Sequence, residues 1–382
     1  MSPDSALETI TARVRSPFEG PNTTGNSNAF WTAFVLAVVG LFLVPAVSPG
    51  HVSDLTLFMS YAFLALSLCF IWGYCGILSF GQVAFFGVAG YTFGIVGINV
   101  GAETGALLGV VAALFVATLF AAALGYFMFY GGVRDVYVTI MTLVVALVLN
   151  TFMGQTAGSE WAIGDARLGG FNGMVGAPNR AIGTGSVAID MTGDGLYYVV
   201  LALLIATYLG LRALVNSRFG YAMVATREDE DRTAMFGYNT KFIKLAVFTF
   251  GGTLAGLSGV LFMFWSPGGY INPDVFGITA AAMPVIWASI GGRTSLLGTT
   301  TAAVALQYLD QRLAASGSEY ALVVIGALLL FVILVMPAGV APYAERAVDW
   351  TRDGVLAKLR GDPENENESE SENAPSNSEV TK

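Results

Sequence analysis

The sequence predicts an all-α polytopic membrane protein with about ten transmembrane helices. Of its 382 residues, 55% are hydrophobic and only 12% are charged, whereas soluble domains carry about 25% charged residues. Apolar segments follow one another along most of the chain, and their interiors hold essentially no Asp, Glu, Lys, Arg or His. These observations place most of the chain in a lipid bilayer.

The predicted helices lie between two polar ends. Residues 1–28 predict a polar, disordered leader, residues 29–342 the transmembrane domain, and residues 343–382 a polar to acidic disordered tail. Several of the helices are short or interrupted by glycine. The ten apolar segments cover approximately residues 29–48, 54–72, 82–100, 105–130, 135–154, 195–214, 245–266, 276–292, 294–309 and 320–339.

The distribution of basic residues predicts that both termini are cytoplasmic. With ten crossings in this orientation, all of the 18 Lys and Arg residues except Arg167, Arg180 and Arg312 lie inside, as expected from the positive-inside rule. Residues 155–194 then form an extracytoplasmic loop, and residues 217–239 lie in the cytoplasm.

The uncharged interior also bears on the class of protein. Ion-coupled carriers bury ionisable side chains to bind the driving ion, and no such side chain stands out here. A passive channel for a neutral solute would tolerate an uncharged path. One His and two Cys cannot build zinc or haem sites with several such ligands. Without an apparent pair of nucleophile and base, an enzyme is the least favoured class, and we expect no metal and no nucleic-acid partner.

A glycine-rich run, GYCGILSFGQVAFFGVAGY, covers residues 73–91. Glycine inside a helix costs about 1 kcal/mol relative to alanine, so five glycines here need a reason. One interpretation is close helix packing through small residues. The other is a broken helix that lines a transport path, with Ser79, Gln82 and Tyr91 as polar contacts.

The predicted fifth helix carries Thr139 and Thr142. These residues are three positions apart and therefore share a face. Threonines in membrane helices often bond only to their own backbone. The alternative is that both hydroxyls line the same transport path.

Residues 217–239, SRFGYAMVATREDEDRTAMFGYN, form a charged segment between apolar ones. Thr226 can cap a short helix, acidic residues occupy its first turn, and Gly237 can end it. A solvated loop would explain the charges alone. The combination of a cap, charges of both signs and an apolar side favours a helix that docks a cytoplasmic partner. The apolar side consists of Met223, Ala234, Met235 and Phe236.

Several motifs resemble those of the permease subunits of ABC importers for branched-chain amino acids and, in a sister group, for urea and short amides. Residues 73–91 match the pattern GYxGxLSxGxxxFFxxxGY, and residues 217–239 match the coupling-segment pattern SRFGxxxxAxREDExRxxxxGYN. The similarity covers about residues 55–340 and departs at Gln82, where His is frequent. Further blocks in the same order are AGLSGVLF (255–262), YINPDVFG (270–277) and IWASIGGRTSLLG (286–298).

The resemblance implies a multi-pass permease in the plasma membrane of a prokaryote. It implies as partners a second, homologous permease subunit, two cytoplasmic ATPase subunits and an extracytoplasmic solute-binding protein. The chain contains no Gly-Lys dipeptide and hence no Walker A loop, so we expect no cofactor on this chain and ATP on the ATPase subunits. The implied ATPase-coupling residues are Arg227, Glu228, Glu230, Ala234 and Gly237.

The cargo is less well defined by these motifs. An uncharged path suits a zwitterionic amino acid or neutral urea alike. The threonine-rich fifth helix and the GGFNG loop resemble the amino-acid branch, whereas the IWGY, FGYN and GYINP runs are closer to the urea and amide branch. Of the two, we expect branched-chain amino acids, with urea or short amides as the alternative.

Overall fold

A computed structural model describes residue 15 and residues 17–101, 104–134, 136–178, 180–183, 189–315, 321–336 and 339–340. Within these residues the chain is helical, apart from two short β-hairpins. The predicted acidic tail lies outside the described residues, and so do residues 1–14 of the leader. The helices are α1 (Asn28–Val47), α2 (Val52–Leu68), α3 (Gln82–Val100), α4 (Gly105–Tyr130), α5 (Val136–Gly154), α6 (Gly193–Val215), α7 (Arg218–Glu228), α8 (Glu230–Met235), α9 (Thr240–Trp265), α10 (Ile278–Gly291), α11 (Leu296–Ala315) and α12 (Ala321–Val335).

The all-α polytopic fold predicted from the sequence is confirmed. In the described part of the chain, 7 helices are long and apolar enough to cross a membrane, and all seven coincide with predicted segments. The eighth predicted segment contains α10, which is apolar but shorter. The ninth overlaps α11, which extends beyond it to Ala315, and the tenth contains α12; the total of ten crossings stays a prediction.

Helices α3, α4 and α9 pack closely on one another, with α2 packed on α9 and α11 packed on α2. Small residues allow their close approach. Gly256 of α9 faces the methyl group of Ala117, and Gly259 lies directly against the backbone of Phe86. A side chain at either glycine would push these helices apart.

The second helix does not end as a regular α-helix. After α2 the chain makes a π-helical turn over Cys69–Gly73, and it turns sharply at Gly76, whose φ is +77°. Helix α3 begins at Gln82. We call residues 73–81 the helix break, because the helical path between α2 and α3 is interrupted there.

The loop after α5 carries the two hairpins. Strands β1 (Ala162–Ile163) and β2 (Ala166–Arg167) are antiparallel, with Ala162 opposite Arg167. Strands β3 (Ala181–Ile182) and β4 (Ile189–Asp190) pair in the same way, with Ala181 opposite Asp190. An isolated bridge between Met174 and Ile271 ties this loop to the segment before α10.

Residues 17–27 differ from the predicted disordered leader. They form turns against the end of α6, where the side chain of Arg212 is buried. Its guanidinium donates to the carbonyl oxygens of Phe18 and Gly25, both at 2.6 Å. Asn22 adds a hydrogen bond of 3.0 Å to the carbonyl of Val215. Composition predicted disorder because it does not reveal that a buried arginine needs these carbonyl acceptors.

Candidate functional site

The charged segment 217–239 forms two helices, not the single one predicted. Ser217 caps α7 by accepting from the amide of Gly220 at 3.3 Å. At Asp229 the backbone becomes extended, and its carboxylate caps α8 by accepting from the amide of Arg232 at 2.9 Å. Thr226 is therefore not a cap; it is buried in α7 and donates to the carbonyl of Ala222 at 2.8 Å.

The segment ends in an exposed apolar tip. Met235 is 87% exposed and Phe236 is 77% exposed, whereas Met223, predicted on the same side, is buried in the core. Gly237 follows the end of α8 with a φ of +89°, and it ends the helix as predicted. Ala234 is exposed beside the tip.

An ion pair holds α8 to the start of α9. Lys244 Nζ lies 2.5 Å from Glu230 Oε2, and both side chains are mostly buried. The acidic residue that follows pairs more loosely, since Arg134 Nη2 lies 4.0 Å from Asp231 Oδ1 and both side chains are exposed. Glu230 is therefore the acidic residue through which α8 is anchored to the membrane domain.

Arg227 connects the segment 217–239 to the end of the second membrane helix. Its guanidinium donates to the carbonyl oxygen of Gly73 and also pairs with the neighbouring Glu228. The Arg227 side chain passes directly over Gly76, where an added Cβ would meet Arg227 Cγ at 3.0 Å. The segment 217–239 thus rests on the helix break.

The helix break also contacts the second glycine cluster, at residues 291–298. The Tyr74 hydroxyl donates to the carbonyl of Thr294 at 2.7 Å. The Cys69 thiol donates to the carbonyl of Arg293 at 3.2 Å. A displacement of α7 would therefore reach both α2 and the start of α11 through the break.

Thr139 and Thr142 hold the helix break from the other side. The Thr139 hydroxyl donates to the carbonyl of Leu78 at 3.0 Å. The Thr142 hydroxyl accepts from the amide of Phe80 at 3.2 Å. Both threonines share a face, as predicted, and both bond to the backbone of the break. Their role as lining of a transport path stays a prediction.

The three other predicted path residues are buried at or beyond the break. The Ser79 hydroxyl accepts from the amide of Gly81 at 3.1 Å. Gln82 Oε1 accepts from the Ser67 hydroxyl at 3.1 Å, while Gln82 Nε2 and the Tyr91 hydroxyl have no partner within the described part of the chain. Tyr91 stacks on Phe276. A transport path along α3 would use these two unpaired groups as polar contacts; this role stays a prediction.

Two cavities lie near these residues. One, of about 260 Å³, lies at the segment 217–239, between Arg227, Glu230, Lys244 and the helix break. Cys75 also lines it; burial raises the pKa of its thiol to about 12, so the thiol stays protonated at neutral pH.

The other cavity, of about 110 Å³, lies between α2, α3, α10 and α11. Gln307 and Asp310 line it, and neither was predicted as a site residue. Asp310 lies just beyond the predicted ninth segment, which ended at residue 309, whereas helix α11 continues to Ala315 and places Asp310 at the cavity. Within the described residues, no group of three or more His, Cys, Asp or Glu side chains is placed to hold a metal ion.

A glycine-packed bundle of membrane helices with a charged segment of two helices fits a membrane transport protein. Residues 52–333 match the family model described as branched-chain amino acid transport system / permease component. The chain belongs to this family, as its motifs predicted, and it is a multi-pass protein of the plasma membrane.

Individual relatives agree with the family match. The chain is 29% identical to the high-affinity branched-chain amino acid transport system permease protein LivM of Escherichia coli K12, over 81% of this chain and 73% of the relative. It is also 29% identical to the permease protein LivH of that system in the same strain, over 75% of this chain and 93% of the relative. The LivM protein of Salmonella typhimurium LT2 is 28% identical. No solved structure matches.

Proposed function

We propose that this chain is the transmembrane permease subunit of an ATP-driven importer and that it translocates branched-chain amino acids. Its partners are a second, homologous permease subunit, two cytoplasmic ATPase subunits and an extracytoplasmic solute-binding protein. The similarity to both LivM and LivH, two permease proteins of one named transport system, supports a pairing of homologous permeases. The family description supports the cargo.

The observation that carries the ATP-driven step is the apolar tip of the segment 217–239. Met235 and Phe236 are exposed next to charged helices that are themselves firmly attached to the bundle. Exposed apolar residues with a polar rim are typical of a protein–protein contact. The ATPase subunits bind this tip, and ATP is hydrolysed on those subunits because this chain has no Walker A sequence.

Motion at the tip has a direct route into the membrane domain. Arg227 joins α7 to the carbonyl of Gly73, and Tyr74 joins the helix break to the carbonyl of Thr294. Closure of the ATPases would shift α7 and α8, and the break would pass that shift to α2, α3 and α11. Two alternating arrangements of these helices would expose the path to either side of the membrane.

Replacement of Phe236 by glutamate tests this proposal. The side chain is 77% exposed, so the substitution leaves the fold intact while it places a charge in the docking surface. We expect Phe236→Glu to abolish ATP-dependent uptake of labelled leucine by the assembled importer and to abolish co-purification of the ATPase subunits. Uptake is measured in proteoliposomes with ATP inside or outside.

Val175→Glu is the matched control. Val175 is 64% exposed on the loop predicted to be extracytoplasmic, and we expect its variant to retain the ATPase subunits. The proposal fails if Phe236→Glu transports at the wild-type rate. It also fails if the purified single chain takes up leucine under an ion gradient, as an ion-coupled carrier would, or if transport is indifferent to ATP, as in a passive channel.

A further inference from the structure

The cavity between α2, α3, α10 and α11 has mostly aromatic and aliphatic walls. Tyr61, Phe86 and Trp287 line it together with aliphatic side chains and Met283. The ring centroid of Tyr61 lies 5.9 Å from that of Trp287 and 6.1 Å from that of Phe86. A cavity needs roughly 10–15 Å³ to hold one water molecule. The volume of about 110 Å³ therefore accommodates a solute about the size of a small amino acid.

Asp310 brings a negative charge to this apolar cavity. Of the side chains that line it, Asp310 alone carries a formal charge. The other polar groups are the amide of Gln307, one turn earlier on α11, and the hydroxyl of Tyr61. A carboxylate beside apolar walls is costly unless it is paired or hydrogen-bonded. No ion pair or hydrogen bond from Asp310 is present within the described part of the chain.

The neighbouring polar residues of α11 are engaged elsewhere. Gln311 Nε2 donates to Asp54 Oδ1 at 2.9 Å. The guanidinium of Arg312 lies 4.9 Å from the ring centroid of Tyr308. Neither side chain lines the cavity, so the carboxylate of Asp310 faces it without a cation from these neighbours.

A carboxylate that lines the same cavity as aromatic rings is suited to a cation, because an ammonium group there gains both an ionic hydrogen bond and attraction to the ring faces. The aliphatic and aromatic walls complement an apolar side chain attached to that group. Urea and short amides carry no positive charge, so they would leave the carboxylate uncompensated.

We propose that Asp310 binds the α-ammonium group of a zwitterionic amino acid in this cavity, with Gln307 as a second polar contact and the aromatic wall around the aliphatic side chain. This inference rests on the proposed function and deepens it, since it selects amino acids over urea and amides. It assigns specificity to the permease as well as to the binding protein.

Equilibrium binding to the purified full chain in lipid nanodiscs tests the site. The probe is radiolabelled L-leucine. Its competitors are 3-methylbutylamine, which lacks the carboxylate, 4-methylpentanoate, which lacks the amine, and urea. We expect the amine to compete, and the acid and urea not to compete. Asp310→Asn should weaken leucine binding about tenfold or more, because a hydrogen bond to a charged group is lost.

Asp54→Asn is the matched control. It removes a negative charge next to α11, but its carboxylate bonds to Gln311 and does not line the cavity. We expect its leucine affinity to stay within about twofold of wild type, since a polar contact outside the site contributes little to binding. The site is refuted if Asp310→Asn binds like wild type, if 4-methylpentanoate or urea competes as well as the amine, or if the wild-type chain binds no leucine.

Uptake by the assembled importer separates this inference from the proposed function. If the wild-type importer shows no ATP-dependent leucine uptake, the proposed function fails. If the wild-type importer transports leucine and the Asp310→Asn importer does so with an unchanged KM, only the ammonium site fails.

Discussion

At the scale of single residues, two arginines show how the same residue type serves different purposes. Arg227 is partly exposed and joins the segment 217–239 to the carbonyl of Gly73. Arg212 is 1% exposed and has carbonyl and hydroxyl acceptors but no carboxylate partner in the described residues. Its guanidinium lies 4.8 Å and 5.0 Å from the ring centroids of Phe30 and Trp31. Arg212 therefore joins residues 17–27, α1 and α6 into one unit.

We predict that Arg212→Met destabilises the protein. Methionine keeps much of the side-chain volume, but it leaves the carbonyl of Gly25 without its buried donor and that of Phe18 with only the longer bond, 3.3 Å, from Asn216 Nδ2. Each unsatisfied group of this kind costs about 1–3 kcal/mol. Thermal unfolding of the detergent-solubilised chain should show a lower midpoint, and protease should cleave residues 17–27 more readily.

Arg218→Met is the control for this prediction. Arg218 is exposed in the first turn of α7, and its replacement should leave the midpoint within experimental error. Equal midpoints for wild type and Arg212→Met would show that residues 17–27 are not held by this side chain.

At the scale of elements, the helix break is the junction of the molecule. It receives Arg227 from α7, Thr139 and Thr142 from α5, and it reaches Thr294 through Tyr74. The glycine pattern in the sequence predicted an interrupted helix, and the two threonines were predicted on one face. Neither pattern revealed that the threonines hold the break, because these contacts join residues about 60 positions apart in the chain.

Gly73→Ala should destabilise this junction. A Cβ at Gly73 would overlap the carbonyl oxygen of Arg293, and backbone on both sides leaves little freedom to relax. Overpacking of this kind costs about 1–3 kcal/mol. We expect a lower unfolding midpoint and reduced leucine uptake at equal protein levels.

Gly210→Ala in α6 is the contrasting substitution. A Cβ there meets nothing within 4 Å, and alanine is about 1 kcal/mol more favourable than glycine in a helix. Its midpoint should be equal to or above that of wild type. If Gly73→Ala behaves in the same way as Gly210→Ala, close contact between the break and the second glycine cluster is contradicted.

At the scale of the whole molecule, the predicted orientation can be tested by determining on which side of the membrane two exposed residues lie. Val175 and Met235 are 64% and 87% exposed, and the prediction places them on opposite sides of the membrane. Both native cysteines, Cys69 and Cys75, are buried and free, so an impermeant thiol reagent should find little background.

We predict that Val175→Cys reacts with an impermeant maleimide in intact cells and that Met235→Cys reacts only after permeabilisation. Wild type measures the background from the native thiols. The opposite pattern would reverse the topology and would remove the segment 217–239 from reach of a cytoplasmic ATPase.

The amino-acid sequence by itself determined the fold class, the family, most helix positions and the charged segment, because apolar periodicity, glycine content and charge are local properties. Only the tertiary structure showed that Thr226 lies inside α7, that residues 17–27 pack on Arg212, and that Asp310 faces an aromatic cavity. Each of these depends on contacts between distant parts of the chain, where burial decides which polar group needs which partner. Such pairings cannot be read from neighbouring residues alone.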